Sequence, residues 1–303
     1  VSVGTFDGVH LGHLEIIRRA IAGAASRSGR SVVVTFEPHP KEVVPSARRP
    51  IHLLSTLDER LALLGRHGID VTVVIHFTRE FSQLSPRSFY EEYILPRIGV
   101  AEVVVGQDHL FGKDRKGGRE ELERLSRQFG FAVSAVPEHL VGGERVSSSV
   151  IRKALERGDV EKAGSYLGYP YTLRGVVAEG EGRGRSLGFP TANLEPESPR
   201  KVTPGHGVYL VAVKTGSETV YGMMNIGVRP TLTDGSTQTL EVHMFEVDAE
   251  LYGEPVQISF LRRLRDERRF ASADDLTEQL KVDKDESYRI IKELEQQHSI
   301  HNQ

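Results

Sequence analysis

GTFDGVHLGH, running from Gly4 to His13, follows a short apolar run, Val1 to Val3, and opens a stretch with apolar residues near helical spacing. The pattern is a buried strand, a turn rich in glycine, then a helix over His10 to Ala25. Gly4, Gly8 and Gly12 allow a phosphate chain to approach the backbone closely. The start of the helix offers unpaired N–H groups and the positive end of its dipole, both of which attract phosphate. His10 and His13 are three residues apart and point to one helical face. Two imidazoles placed there can donate to a triphosphate as negative charge grows on a leaving pyrophosphate. The pair by itself also fits a metal site or a surface coincidence. Zinc would want a third protein ligand, and the chain has no cysteine to offer.

Outward from this turn, strands and helices alternate. Ser31 to Phe36 is a β-branched run, Leu57 to His67 a helix, and Val71 to Phe77 a strand. Ser85 to Arg97 has helical character, and Ala101 to Gly106 is a strand. Glu120 to Gly130 is helical, Ala132 to Val136 a strand, and Ser148 to Arg157 a closing helix. Such an order predicts a parallel sheet with helices on both faces and ligands beyond the carboxyl ends of the strands. From Tyr169 the rhythm changes to short strands between Gly and Pro turns: Tyr171 to Ala178, Val208 to Val213, Val220 to Ile226, Thr239 to Phe245 and Val256 to Leu264. They predict a compact antiparallel barrel, followed by a polar helix over Ala273 to Gln297. The expected domains are 1–166 and 167–303.

Composition narrows the classes. The 303 residues suit two domains, and the formal net charge of -3, from 39 basic and 42 acidic residues, advertises no nucleic-acid partner. With no cysteine there is no disulfide frame, thiolate metal site or cysteine nucleophile. No run approaches the length of a membrane helix and no signal peptide is visible, so a cytoplasmic location is expected. The chain starts on Val beside its strongest motif, and a short preceding segment is expected.

HLGH (His10 to His13) resembles the His-x-Gly-His signature of the nucleotidyltransferase superfamily, and RVSSSVIRKAL (Arg145 to Leu155) is similar to its Ile-Ser-Ser-Thr-x-Ile-Arg stretch. Ser149 stands where that stretch usually has Thr and keeps the hydroxyl. Serines at a helix start also serve as plain caps, a compatible role. TFEPHP (Thr35 to Pro40) and VVGQDHLFG (Val104 to Gly112) narrow the resemblance to the adenylyltransferase module of bacterial FAD synthetases, with His109 at a position usually aromatic. The resemblance implies a Rossmann-like α/β domain that transfers AMP from ATP to FMN, giving FAD and pyrophosphate. It further implies that His10, His13 and Arg152 hold the phosphates, and that Gly4, Thr5, Phe6, Gly8, Asp108, Ser148 and Ser149 line the nucleotide and flavin site.

No Walker-type phosphate loop occurs. GEGRGRSLGFPTANL (Gly180 to Leu194) instead combines glycines able to wrap phosphate with Thr191 and Asn193, hard oxygen ligands suited to Mg²⁺. Their spacing puts both on one face of an extended segment. A glycine-rich hairpin with a surface Thr and Asn is the plainer alternative for the loop alone. GRGRSLGF followed by PTAN resembles the riboflavin kinase signature, and NIGVRPT (Asn225 to Thr231) and EVHMFEVDAELYG (Glu241 to Gly253) are similar to later kinase segments. The resemblance implies a riboflavin kinase-like barrel that converts riboflavin and ATP to FMN and ADP, with Mg²⁺ held by Thr191 and Asn193. Glu241 matches the catalytic carboxylate, and Gly182, Arg185, Gly188, Pro190 and Asn225 fall in the binding segments. On a strand, Glu241 and His243 share a face. The small-molecule partners so implied are ATP, riboflavin and FMN.

Another nucleotidyltransferase, such as a cytidylyltransferase or a pantetheine-phosphate adenylyltransferase, would have no use for the second set of motifs. An aminoacyl-tRNA synthetase would need a Lys-rich second signature. A non-catalytic nucleotide or flavin sensor would not need Glu241 as a base.

Overall fold

In the computed structural model, residues 1–44, 51–107, 112, 117–178, 188–230, 236–247 and 252–301 are described. The chain divides into two compact units, Val1–Val150 and Ile151–Gln303.

In the first unit the strands are β1 (Ser2–Val3), β2 (Val32–Glu37), β3 (Val71–His76), β4 (Glu102–Gly106) and β5 (Ala132–Val136). The pairs β1–β2, β2–β3 and β4–β5 are all parallel. β4 lies along the other edge of β1, where the Val104 N–H donates to the Val1 carbonyl at 2.8 Å and the Val1 nitrogen donates to the Glu102 carbonyl at 2.7 Å. The spatial order β3-β2-β1-β4-β5 is the Rossmann-like one, with the order reversing beside β1.

Alternation along these strands decides what covers each face. Val32, Val34, Val103 and Val105 turn to one side and pack with Phe89, Tyr90, Ile94, Leu122 and Leu125. These come from helix α3 (Arg119–Phe129) and from the helical run Pro86 to Ile98. That run is not a plain helix, because Phe89–Ile94 winds as a π-helix. Val33 turns to the other side, onto Leu14, Ile17 and Leu64 of helices α1 (Leu11–Ala25) and α2 (Leu57–Arg66). A small hairpin, β6 (Leu140–Val141) and β7 (Glu144–Arg145), precedes helix α4 (Ser148–Glu156).

Helix α5 (Val160–Leu167) was not expected from the sequence; Asp159 caps it and Gly168 ends it in a left-handed conformation. In the second unit, β8 (Thr172–Ala178), β9 (Ala192–Pro196), β10 (Gly207–Thr215), β11 (Glu218–Pro230), β12 (Ser236–Met244) and β13 (Pro255–Arg265) close a barrel in the order β10-β11-β12-β9-β8-β13. All of its pairings are antiparallel. β9 is the strand that periodicity did not reveal, since its five residues, ANLEP, carry one large apolar side chain. In the core of this unit Phe260 stacks on Tyr171 and meets Tyr209 edge-on, all three essentially without exposure. The opposite strand face carries Val208, Leu210, Met223 and Phe245, packed with Ile290 and Ile291 of the long helix α6 (Ala273–His301).

Candidate active sites on the two units

In the first unit, the turn after β1 doubles back through unusual backbone. Phe6, Gly8 and Val9 have φ of 46, 81 and 35°. A β-branched residue at positive φ is strained, so something must hold Val9 there. Its N–H donates to the Phe6 carbonyl at 3.0 Å. Asp7, almost fully buried, accepts from the backbone N–H groups of Leu54 (3.0 Å) and Ser55 (2.9 Å) and from the Ser55 hydroxyl (3.2 Å). Ser55 in turn accepts from the Gly8 N–H at 2.9 Å. The Thr5 carbonyl accepts from Arg60 Nη1 at 2.8 Å and from the Thr35 hydroxyl at 3.1 Å. Arg60 is itself paired with Glu37 at 2.9 Å. Asp7, Ser55 and Arg60 were missed by motif reading. Asp7 lies in the turn, and Ser55 and Arg60 reach it from segments about 50 residues away, which local spacing does not reveal.

His10 is the N-cap of α1: its Nδ1 accepts from the His13 N–H at 3.3 Å. The two imidazoles stack, with centroids 3.6 Å apart and planes 15° apart. Gly12 makes room for this, since a Cβ there would lie 3.3 Å from the His10 ring. His13 is held well below the ordinary histidine pKa, first by burial and then by the charge His10 would carry. Its Nδ1 is buried with no hydrogen-bond partner among the described residues. Two stacked imidazoles at the start of a helix are arranged to meet an anion, whose charge would offset any proton the pair takes up.

The second signature meets the first. The Ser148 hydroxyl donates to the Asp7 carbonyl at 3.0 Å, so the start of α4 is tied to the glycine turn. The cap of α4 is Ser147, whose Oγ accepts from the Val150 N–H at 3.4 Å, while Ser149 is exposed. Arg152, one turn after Ser148, shares its helical face and is buried. Asp108 lies outside the described residues.

In the second unit, strand register assembles what sequence scatters. Asn193 on β9 is paired with Glu241 on β12, and Glu241 with Asn225 on β11. Residues opposite one another in a ladder project to the same side, so the three side chains form one rung. The neighbouring rung, Met224 with Val242, projects oppositely, and both residues are buried. Asn193, Glu241 and Asn225 are each half-buried. Thr191 immediately precedes β9. The adjoining Pro190 carbonyl lies 2.8 Å from Nδ1 of His243, which is buried two residues beyond Glu241. Gly188 has φ of 77°, and Phe189 packs edge-on against His243 at 5.2 Å. Gly182 and Arg185 lie outside the described residues.

An α/β unit with a strand, a glycine turn and a His-x-Gly-His helix start, followed by a barrel with a carboxylate-amide rung, defines a two-site transferase for nucleotidyl and phosphoryl groups. The FAD synthetase family profile matches residues 1–150 and the riboflavin kinase profile matches residues 167–291. The chain belongs to the bifunctional riboflavin kinase/FMN adenylyltransferase family. A family protein of Listeria monocytogenes is 34% identical over 97% of this chain and 93% of its own length. That of Bacillus subtilis is 35% identical over 97% and 93%, and that of Escherichia coli K12 is 35% identical over 93% and 90%. A crystal structure from Streptococcus pneumoniae, described as a macrolide-efflux protein, superposes with a TM-score of 0.86 at 33% identity, covering 95% of this chain and 93% of that one. The efflux description belongs to that protein. Among the described residues of this chain, no helix is long and apolar enough to cross a membrane.

The enzyme phosphorylates riboflavin with ATP to give FMN, and transfers the adenylyl group of a second ATP to FMN to give FAD and pyrophosphate. Its substrates are ATP, riboflavin and FMN.

Proposed function

We propose that phosphoryl transfer is carried out on the Asn193–Glu241–Asn225 rung and adenylyl transfer at the turn joining β1 to α1. The observation that carries this reading is the register itself, which brings a carboxylate from one segment opposite amides from two others.

At the rung, Glu241 accepts the proton of the riboflavin 5′-hydroxyl as its oxygen bonds to the γ-phosphorus and the bond from γ-phosphorus to the β-bridging oxygen breaks, releasing ADP. Asn225, Gly188 and Pro190 line the site. Thr191 and Asn193 offer neutral oxygen ligands beside Glu241. Among the described residues no group of three or more His, Cys, Asp or Glu could hold a metal ion. Such a donor set suits Mg²⁺, which keeps waters and substrate phosphates in its shell rather than occupying an all-protein cage. When bound with ATP, Mg²⁺ neutralises charge on the phosphates.

At the turn, an FMN phosphate oxygen attacks the α-phosphorus and pyrophosphate departs, so no protein nucleophile is required. The chain positions the reactants and stabilises charge. His10 and His13 donate to the departing phosphates and Arg152 adds a fixed positive charge. Gly4, Thr5, Phe6, Gly8, Ser148 and Ser149 form the surrounding wall. The functional boundary lies at 166/167, with the kinase segment beginning just before β8, and the enzyme works in the cytoplasm.

The test is chromatography of flavins formed by the purified chain from riboflavin, ATP and Mg²⁺. Removing a general base costs about 10²- to 10⁴-fold. Glu241→Gln is therefore expected to lower FMN formation by about that factor, with turnover falling more than ATP affinity, and to spare adenylylation of supplied FMN. His10→Ala is expected to spare FMN formation and stop FAD formation. Loss of both steps in either variant would refute the assignment of separate sites.

A further inference from the structure

His243 is 8% exposed and sits two residues from Glu241 on β12, projecting to the same side of the strand. Its ring is fixed by Phe189 at 5.2 Å and Phe245 at 5.8 Å, both near edge-on. Burial lowers its pKa, the bond to Pro190 opposes that and nearby Lys284 adds to it; the net lowering favours the neutral ring with a single N–H. The Pro190 carbonyl, 2.8 Å from Nδ1, can only accept, which places that hydrogen on Nδ1. Nε2 is then a bare acceptor, and it has no partner among the described residues. A phenylalanine would fill the same apolar slot without an orphaned acceptor. Packing alone therefore does not account for a histidine here; the bond to Pro190 does.

That carbonyl belongs to the peptide joining Pro190 to Thr191. Because the peptide is planar, holding its oxygen also orients the start of Thr191. On the far side, ladder pairing holds Asn193 opposite Glu241. A single strand, β12, thus carries both the proposed base and the anchor for the segment that bears the two proposed metal ligands.

We propose that His243 is a positioning residue for phosphoryl transfer, its Nδ1–H bond to the Pro190 carbonyl setting Thr191 and Asn193 against Glu241. The proposal rests on the reading of Thr191 and Asn193 as Mg²⁺ ligands given above.

Three full-length variants separate this role from packing. His243→Phe keeps the ring and loses the donor. His243→Asn places an amide nitrogen near the position of Nδ1. His243→Gln places it near Nε2. The measurements are steady-state FMN formation with Mg²⁺ varied at saturating ATP, the KM for riboflavin, and the Mg²⁺ dependence of ATP binding by calorimetry without riboflavin. Loss of an outer-shell partner typically costs 10- to 100-fold in metal affinity or activity. His243→Phe and His243→Gln are expected to raise the Mg²⁺ requirement about tenfold and lower kcat comparably. Riboflavin KM and adenylylation of supplied FMN should be unchanged. His243→Asn is expected to recover most of the loss.

Normal Mg²⁺ dependence in His243→Phe would overturn the proposal, as would equal damage in the Asn and Gln variants. If His243→Phe fails to fold, the contrast between Asn and Gln decides. Thr191→Val and Asn193→Ala separate the two layers. If they leave Mg²⁺ dependence unchanged, the ligand reading has failed; if they shift it and the His243 variants do not, only the positioning role has failed.

Discussion

His13 shows how one residue can link the nucleotide site to stability. Its pKa lies below the ordinary value of 6.5 in the folded chain because burial, and then His10, oppose the charged form. The unfolded chain therefore binds a proton more readily. Stability from this group is fully present above pH 6.5 and is lost as pH falls through the lowered folded value. The urea midpoint of the first unit is expected to drop between pH 7.5 and 5.5, and His13→Asn to flatten that drop. An unchanged slope in the variant would mean that other groups carry it. His10 and His13 were legible as a pair from their spacing. Their 3.6 Å stacking was not, because it depends on the rotamers chosen around Gly12.

Two contacts set the working geometry at the level of elements. Gly175 on β8 passes so close to β9 that a Cβ would collide with the Glu195 carbonyl and lie 2.8 Å from Leu194 Cδ1. Overpacking of this kind costs about 1–3 kcal/mol. Gly175→Ala is therefore expected to lower the Tm of the second unit and, by displacing β9, to weaken FMN formation more than FAD formation from supplied FMN. The second contact docks α6 on β13: Arg265 pairs with Asp283 through Nη2 at 2.8 Å and Nε at 2.9 Å, and Gln279 donates to the same carboxylate at 2.7 Å. Asp283→Ala leaves a largely buried guanidinium unpaired. The cost expected is roughly 2–3 kcal/mol, below the fully buried case because Arg265 keeps some solvent. Denaturant unfolding followed by tyrosine fluorescence would read it. Strands with alternating apolar residues were legible in advance; β9 was not, because its identity comes from pairing with β8 and β12 rather than from its own pattern.

For the whole molecule, two reactions are joined by a product of one that is a substrate of the other. Neither set of proposed residues needs the other in the same chain. Mixing full-length Glu241→Gln with full-length His10→Ala is therefore expected to restore FAD formation from riboflavin, through FMN released by the second protein and adenylylated by the first. Continued absence of FAD from the mixture, with each variant active in its remaining step, would show that FMN must pass within one chain.

The alternating α/β order, the change to short antiparallel strands and the family were determined by the sequence alone, because periodicity and signature turns are local properties. Which segments meet was decided only in three dimensions. Asp7 reaching Ser55, Ser148 reaching Asp7, and Asn193 facing Glu241 and Asn225 are products of chain crossings and strand register. A register slip of one residue would send every side chain of a strand to the opposite face, and no local pattern around Glu241 specifies its partners.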